Sequence, residues 1–397
     1  MFEAVVPAPP DSILGLTEAF NRDSSPEKIN LGVGVYKDEE GRTPILAVVK
    51  EAEKRVLAKA ATKSYMPIGG SPGYRKAVQE LLFGADHPLL AAGRVRTLHT
   101  PGGTGGLRVG ADVLRKVQPK AKVWVSNPTW ANHKGIFLAA GFTVEEYAYY
   151  DAASKGLDFT NMIEALRMVP AGDVVLLHVC CHNPSGVDLT LDQWREVAEV
   201  AGGQGWLPFL DFAYQGFGGG LEADREGLLE MVKVCKECIV ASSFSKNFGL
   251  YQDRTGAVTF VAGTAEAAEA VGSQAEAAAR VNYSNPPAHG GLIVEEILGD
   301  AGLAKAWREE LDGMRDRIAM VRSQLVDALT SRGVSGDLSF LGAQRGMFSF
   351  SGLTDEQVVK LRDTYSIYIV KGGRINVAGI TPRNVDRLAD AMADVMG

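Results

Sequence analysis

Ala241-Ser242-Ser243-Phe244-Ser245-Lys246-Asn247-Phe248-Gly249, with Arg254 eight residues beyond the lysine, is the stretch from which the rest of the chain is read. It follows the β-branched run Ile239-Val240, breaks into small hydroxyl residues, and sets a lysine where a buried strand ends. A lysine alone is ordinarily a solvated surface charge. Here hydroxyls at Ser243 and Ser245, aromatics at Phe244 and Phe248, and a second cation at Arg254 surround it. An amine desolvated beside another cation loses proton affinity and becomes a nucleophile towards carbonyls. The stretch predicts a Schiff-base lysine next to a phosphate site.

Outward from it, short apolar runs alternate with helical patterns from about residue 95 onward. Strands are expected over 123–126, 174–179, 207–211, 239–242 and 257–261, and helices over 106–118, 132–140, 160–168 and 191–202. This alternation predicts an α/β domain whose mainly parallel sheet is flanked by helices. Ligands of such sheets sit beyond the carboxyl ends of the strands, where Asp211 and Lys246 fall. Residues 29–36 mix apolar residues with Gly32 and Gly34, a strand or loop whose backbone approaches something closely. A helix follows over 45–61. After a long helical stretch, 301–329, the pattern becomes that of a smaller α+β domain, with strands at 346–351, 367–370 and 375–377 and helices at 355–365 and 382–396. The proline-rich residues 1–10 read as an extended arm, and Asp11 as the cap of a short helix through Phe20. The expected division is an arm at 1–10, a small domain of 11–43 with 314–397, and a large domain at 44–313.

At 397 residues, 46% apolar and 22% charged, the composition is that of a soluble globular protein. A net charge of −7 argues against a general nucleic-acid surface, so anionic ligands need locally placed arginines. No apolar run approaches the roughly 18 residues of a membrane helix, and the N-terminus lacks the pattern of a signal peptide. A cytoplasmic location is expected, with no membrane partner. Cys235 and Cys238 spell C-x-x-C without a second ligand pair, and Cys180-Cys181-His182 has the wrong geometry for a chelate. No metal is expected, and all four cysteines read as reduced thiols.

Thr100-Pro101-Gly102-Gly103-Thr104-Gly105-Gly106 opens onto a helix expected to start at Leu107. Alone it is a phosphate cradle or a structural turn; with Ser243 and Arg254 the cradle is favoured. It lacks the Gly-Lys-Ser/Thr ending of a nucleotide loop and does not fit G-x-G-x-x-G. Asn127-Pro128 and Asn183-Pro184 each follow a strand, and a cis bond is open at both. Trp130 packs in a core or stacks on a flat cofactor. Asp211 follows a largely apolar run, and a buried carboxylate needs a cation or hydrogen-bond donors. A pyridinium nitrogen would serve: keeping it protonated at neutral pH takes a shift of about two units, about 3 kcal/mol. One close charge in a partly desolvated site supplies that. Tyr214 and Asn183 would then donate to the ring's phenolate oxygen.

Together, the lysine after Ser-x-Ser, Asp211-Phe212-Ala213-Tyr214, Asn183-Pro184-Ser185-Gly186 and the Gly-Gly-Thr-Gly loop resemble the class I pyridoxal-phosphate aminotransferases. The resemblance runs over nearly the whole chain and is nearest the aspartate/aromatic subgroup, through 29–37, 180–186, 212–217, 242–251, 282–289 and 346–353. It implies the type I fold of pyridoxal-phosphate transferases, with pyridoxal 5′-phosphate as cofactor. Lys246 would hold the cofactor and later move a proton, Asp211 would pair with the ring nitrogen, and Trp130 would stack on the ring. Gly103, Thr104, Ser243 and Arg254 would hold the phosphate, with Tyr65 reaching it from a neighbouring subunit. A homodimer with shared active sites follows. His133 and His178 match histidines near Asp211, or are satisfied core residues.

The same resemblance gives Arg374 the substrate's α-carboxylate, which a planar guanidinium binds through two parallel hydrogen bonds, with Gly34, Trp130 and Asn183 beside it. Arg280 would take a distal carboxylate across the dimer interface. The implied substrates are amino acids and 2-oxo acids, and the implied reaction is ping-pong transamination of L-aspartate with 2-oxoglutarate. Val35, Lys37, Thr43, Thr104 and Asn285 match the aspartate-selective pattern. Ser64 matches neither group, and 83–88 resembles the aromatic one, so an aromatic or dual-specificity enzyme is the alternative. A nucleotide-binding oxidoreductase lacks its glycine fingerprint here, and a non-catalytic pyridoxal-phosphate protein is the remaining rival.

Overall fold

Val174-Val175-Leu176-Leu177-His178 is buried at every position, as is the run Cys238–Ser243. Unbroken burial of this kind belongs inside a parallel sheet, where helices cover both faces. The computed structural model describes residues 1–7 and 14–397 and contains such a sheet. The expected cap at Asp11 and the end of the expected arm lie outside the described residues. The chain divides into two units, residues 44–316 and residues 1–43 with 317–397.

The first unit is built on a seven-stranded sheet of β1 (Val95–Pro101), β2 (Val123–Asn127), β3 (Val144–Ala148), β4 (Val174–His178), β5 (Leu207–Phe212), β6 (Cys238–Ser243) and β7 (Thr255–Val261). Their order across the sheet is β1-β7-β6-β5-β4-β2-β3. Strand β7 runs antiparallel to β1 and β6, and the other pairings are parallel. The mainly parallel sheet is therefore as expected, but β1 and β3 are additions to it. Strand β1 hides polar residues: Thr97 is buried, its hydroxyl 2.9 Å from that of Thr259 directly opposite, so burial leaves neither unpaired. Strand β3 is an edge strand whose Glu145 and Glu146 discourage further pairing.

Helices Gly102–Val117, Asn132–Ala139 and Ala265–Asn282 press Val113, Phe137 and Ala278 into one apolar core with Val123, Phe209 and Val258. The first of these helices departs from expectation. It begins at Gly102, not Leu107, so the glycines form its opening turns. Glycine's low helix propensity is overridden by close packing: a Cβ on Gly106 would lie 2.7 Å from the Ala257 carbonyl oxygen, and one on Gly110 would lie 2.6 Å from Phe209 Cζ.

Strands β2 and β4 are neighbours, yet the chain visits β3 at the outer edge between them. The carboxyl ends on either side of such a reversal form a crevice. Trp130 follows β2, Asn183 follows β4, Asp211 lies at the end of β5, and Lys246 follows β6. The Asn127-Pro128 and Asn183-Pro184 bonds are both cis.

In the second unit, Ile29–Asn30 pairs in parallel with Ile367–Tyr368, and Phe348–Phe350 pairs antiparallel with Arg374–Asn376. Helices Asp355–Tyr365 and Val385–Met396 match the expected 355–365 and the later part of 382–396. Arg317 is buried there and donates to the carbonyls of Asp38, Ala378 and Ile380, which ties residues 36–43 to the C-terminal segment.

Gly256 is the tightest backbone approach in the sheet. It faces Thr100 on β1 and Ser243 on β6, and a Cβ there would lie 2.3 Å from the Gly102 carbonyl carbon and 2.6 Å from the Ser242 carbonyl oxygen. Neither is a flexible side chain. Gly256→Ala is expected to lower stability by at least the roughly 1–3 kcal/mol of overpacking. It should also spread the ends of β1 and β6; urea unfolding midpoints and hydrogen exchange of the amides at those strand ends check both effects.

Candidate active site

Strand β5 delivers Asp211 at its carboxyl end, and the carboxylate is buried. Its Oδ2 accepts a hydrogen bond from His133 Nε2 at 2.9 Å. An ionised carboxylate can only accept, so Nε2 carries the hydrogen, while Nδ1 of the same ring lies within hydrogen-bond distance of Thr129 Oγ1 at 2.8 Å. Burial pushes the Asp211 carboxyl up, but the hydrogen bond and charge of His133, assisted by Lys246, outweigh it and hold its pKa below the usual value. Among the described residues the Asp211 carboxylate has no other hydrogen-bond partner. A buried anion with an acceptor oxygen to spare fits the protonated nitrogen of a pyridine ring.

His178 ends β4 directly opposite Asp211, and its ring centroid lies 5.1 Å from that of His133. Both its ring nitrogens are buried without a hydrogen bond. Burial, then the neighbouring His133, bring its pKa down to about 3 against the pull of Asp211, so the ring is neutral. The donor atoms of His133, His178 and Asp211 lie within 4.8 Å of one another. A metal centre is the competing reading of that cluster. The hydrogen bond joining two of its members favours an anion with an orienting imidazole.

Lys246 lies in the turn after β6, half-buried, with Nζ 4.8 Å from the centroid of the Tyr214 ring. Desolvation lowers its pKa to about 8, with Arg254 adding to the effect and Asp211 opposing it. Asn247 Nδ2 donates to the Gln215 carbonyl at 3.1 Å, tying the turn of Lys246 to the residue after Tyr214.

At the other end, Gly102 N–H donates to the Arg254 carbonyl at 2.9 Å, and Arg254 takes a left-handed φ of 53°. Its guanidinium donates to Ser245 Oγ at 3.3 Å and to the Tyr251 carbonyl at 3.0 Å. A Cβ on Gly102 would lie 2.5 Å from Arg254 Nη2, and one on Gly103 would lie 3.1 Å from Ser243 Cβ. Three separate segments thus meet at the start of helix Gly102–Val117, where Pro101 offers no side-chain cap and Thr104 is half-buried. Uncapped helical N–H groups, a hydroxyl and a guanidinium converging on one spot fit a phosphate dianion.

Trp130 is half-buried and edge-on to His133 at 5.2 Å, and Asn183 is buried beyond β4. The Asn183 turn is held by Asp188, whose carboxylate accepts from Cys181 N–H at 2.7 Å and His182 N–H at 2.8 Å. Tyr65 is 91% exposed and Arg280 is exposed, its guanidinium donating to Ser284 Oγ; among the described residues neither is joined to this cluster by a hydrogen bond or ion pair. In the second unit, buried Arg374 donates to the Gly32 carbonyl at 2.6 Å and lies over the Phe348 ring. Asn376 donates to the carbonyls of Val33 and Val35, which bracket Gly34.

Thr129, Asp188 and Asn247 were not legible as site residues. Asp188 reads as a surface acid until the left-handed φ of 54° at Cys181 reveals a turn needing an acceptor. Asn247 and Thr129 adjoin recognisable residues but act through partners distant in sequence. The four cysteines are buried, and none is in a disulfide among the described residues.

The family model for class I and II aminotransferases matches residues 26–392. The aspartate aminotransferases of Salmonella typhi and Escherichia coli are each 52% identical over 396 residues, with full coverage of both chains. Among solved structures, an aromatic-amino-acid aminotransferase from Burkholderia pseudomallei covalently bound to pyridoxal phosphate superposes with a TM-score of 0.98. It is 49% identical, with both chains fully covered.

In the cofactor-free protein, labelling of Lys246 by an amine-directed reagent should rise with pH about a midpoint near 8 rather than at the ordinary lysine value of 10.5. Asp211→Asn removes the opposing anion and should move the midpoint down; Arg254→Gln removes a cation and should move it up. Peptide mass spectrometry across a pH series reads all three.

Proposed function

The chain belongs to the class I and II aminotransferases, and from that membership we propose that it transfers the amino group of L-aspartate to 2-oxoglutarate, giving oxaloacetate and L-glutamate. It is a pyridoxal-phosphate-dependent transaminase, and its substrates are amino acids and 2-oxo acids. When bound, pyridoxal 5′-phosphate supplies an aldehyde that captures the amine and a ring that accepts an electron pair.

The observation that carries the reading is the opposition of Asp211 and Lys246 in one site. Asp211 stays ionised in a buried place and so keeps a proton on the ring nitrogen. Lys246, its pKa brought down to about 8, is a base matched to near-neutral pH, and it would take the proton from the substrate's Cα and deliver it to the cofactor's C4′. Tyr214 and Asn183 donate to the ring oxygen, Trp130 stacks on the ring, and Gly103, Thr104, Ser243 and Arg254 hold the phosphate. Arg374 binds the α-carboxylate bidentately, beside Gly34. The reaction is ping-pong, the amino group resting on the enzyme between its halves.

We read the enzyme as a homodimer in which Tyr65 and Arg280 serve the neighbouring subunit's site; their exposure in the single chain supports this. We take 44–313 as the cofactor domain and 11–43 with 314–397 as the small domain. Among the described residues no helix is long and apolar enough to cross a membrane, and likeness to the bacterial relatives supports a cytoplasmic enzyme.

Comparing kcat/KM for aspartate and phenylalanine tests the substrate; aspartate should be preferred. Arg280→Ala should cost aspartate about 1.5–3 kcal/mol more than phenylalanine, since a charge-assisted contact is lost only for the dicarboxylate. Preference for phenylalanine in the unaltered enzyme favours the aromatic reading, which the 49% identity to the Burkholderia enzyme makes the pertinent rival. Shared sites have their own test. Mixing inactive Lys246→Ala chains with Arg280→Ala chains should restore one intact site per hybrid dimer and raise aspartate turnover above that of either parent; no gain means each subunit works alone.

A further inference from the structure

The turn that carries Tyr214 is gripped from behind by a carboxylate for which the reaction has no use. Buried Asp224 ends the short helix Leu221–Asp224. Its Oδ2 accepts from the N–H groups of Gly216 at 2.8 Å and Gly218 at 3.0 Å, and its Oδ1 accepts from that of Gly219 at 2.6 Å. The fit is close: a Cβ on Gly218 would lie 2.5 Å from Asp224 Oδ1. Phe217 N–H folds back on the Tyr214 carbonyl at 3.0 Å. On the opposite side, Asn247 Nδ2 holds the Gln215 carbonyl, and Asn247's own carbonyl accepts from Trp307 Nε1 at 2.8 Å.

Gly216-Phe217-Gly218-Gly219-Gly220 is among the most conformationally free sequences a loop can have. Several N–H groups converging on one anion make a concavity that orders such a loop. Asp224 supplies that anion internally. The loop's first residues then stay fixed between Asp224 behind and the Lys246 turn in front, and the Tyr214 side chain projects from the fixed part.

We propose that Asp224 is a positioning residue: by holding the glycine loop it fixes the Tyr214 phenol relative to Lys246, and thereby sets the proton affinity of the lysine–cofactor site. The proposal rests on the reading of Tyr214 as the donor to the cofactor's ring oxygen.

The test is the pH midpoint of the near-visible cofactor band in the loaded enzyme, measured for Tyr214→Phe, Asp224→Asn and the double variant. Asparagine keeps the shape of the side chain but turns an N–H group towards the loop's N–H groups. Both single variants should raise the midpoint, by about one unit, and the double variant should go no further than Tyr214→Phe alone. If Asp224→Asn lowers the thermal midpoint while the band titrates as in the unaltered enzyme, Asp224 is merely structural and the proposal falls. Gly218→Ala pushes the same carboxylate away and serves if Asp224→Asn does not fold; an unmoved midpoint in it is equally decisive against. An unmoved midpoint in Tyr214→Phe sinks the reading of Tyr214 and the proposal with it, whereas movement in Tyr214→Phe alone sinks only the proposal.

Discussion

Asp211 has to remain an anion where water scarcely reaches it, and much of the larger unit is arranged around that requirement. An isolated buried carboxylate would rather take up a proton. Here His133 donates to it, Thr129 hydrogen-bonds the other nitrogen of that ring, and His178 lies against the pair as a neutral, unbonded wall. The three parts come from three strands' ends, so the anion is buried and hydrogen-bonded only once β2, β4 and β5 are in register. A uniformly apolar site would be more stable but could not hold a charged ring nitrogen.

The end proposed for the phosphate answers to a different constraint, the closeness of backbones. Antiparallel β7 enters the sheet at the end where β1 and β6 leave it, and Gly256 lets it do so without a side chain between them. Arg254, just before β7, is thereby brought against Gly102, just after β1. On the proposed reading, cofactor anchoring at one end would rest on a carboxylate kept ionised, and at the other on glycines kept bare. Electrostatics and steric exclusion would then fix the two ends of one ligand independently.

The parallel core was legible because buried strands read as unbroken apolar runs, and the positions of Lys246 and Asp211 at their ends followed from that pattern. Strands β1 and β3 were not legible, because Thr97 and His99 look solvent-facing and Glu145-Glu146 look like a helix or loop. Only the sheet shows that Thr97 meets Thr259 and that the glutamates lie on an edge. The glycine-rich loop was identified but its start was misread by five residues, since propensity says nothing about what a helix packs against. Residues recognised from chemistry carried their own signature in type and neighbours. Residues that act by holding others, such as Asp188 and Asn247, carry none, because their partners are set by tertiary structure.

The lowered pKa of Lys246 then needs care in its cause. Arg254 first suggests itself, being a second cation close in sequence. Yet desolvation is the larger contribution, and Arg254 the lesser. A phosphate bound between Gly103, Ser243 and Arg254 would cancel much of that guanidinium's charge, whereas burial of the amine persists. The base is therefore tuned chiefly by where the turn after β6 places it, and that placement depends on Asn247 joining it to the Tyr214 turn. Proton affinity at this lysine is a property of packing before it is one of neighbouring charge.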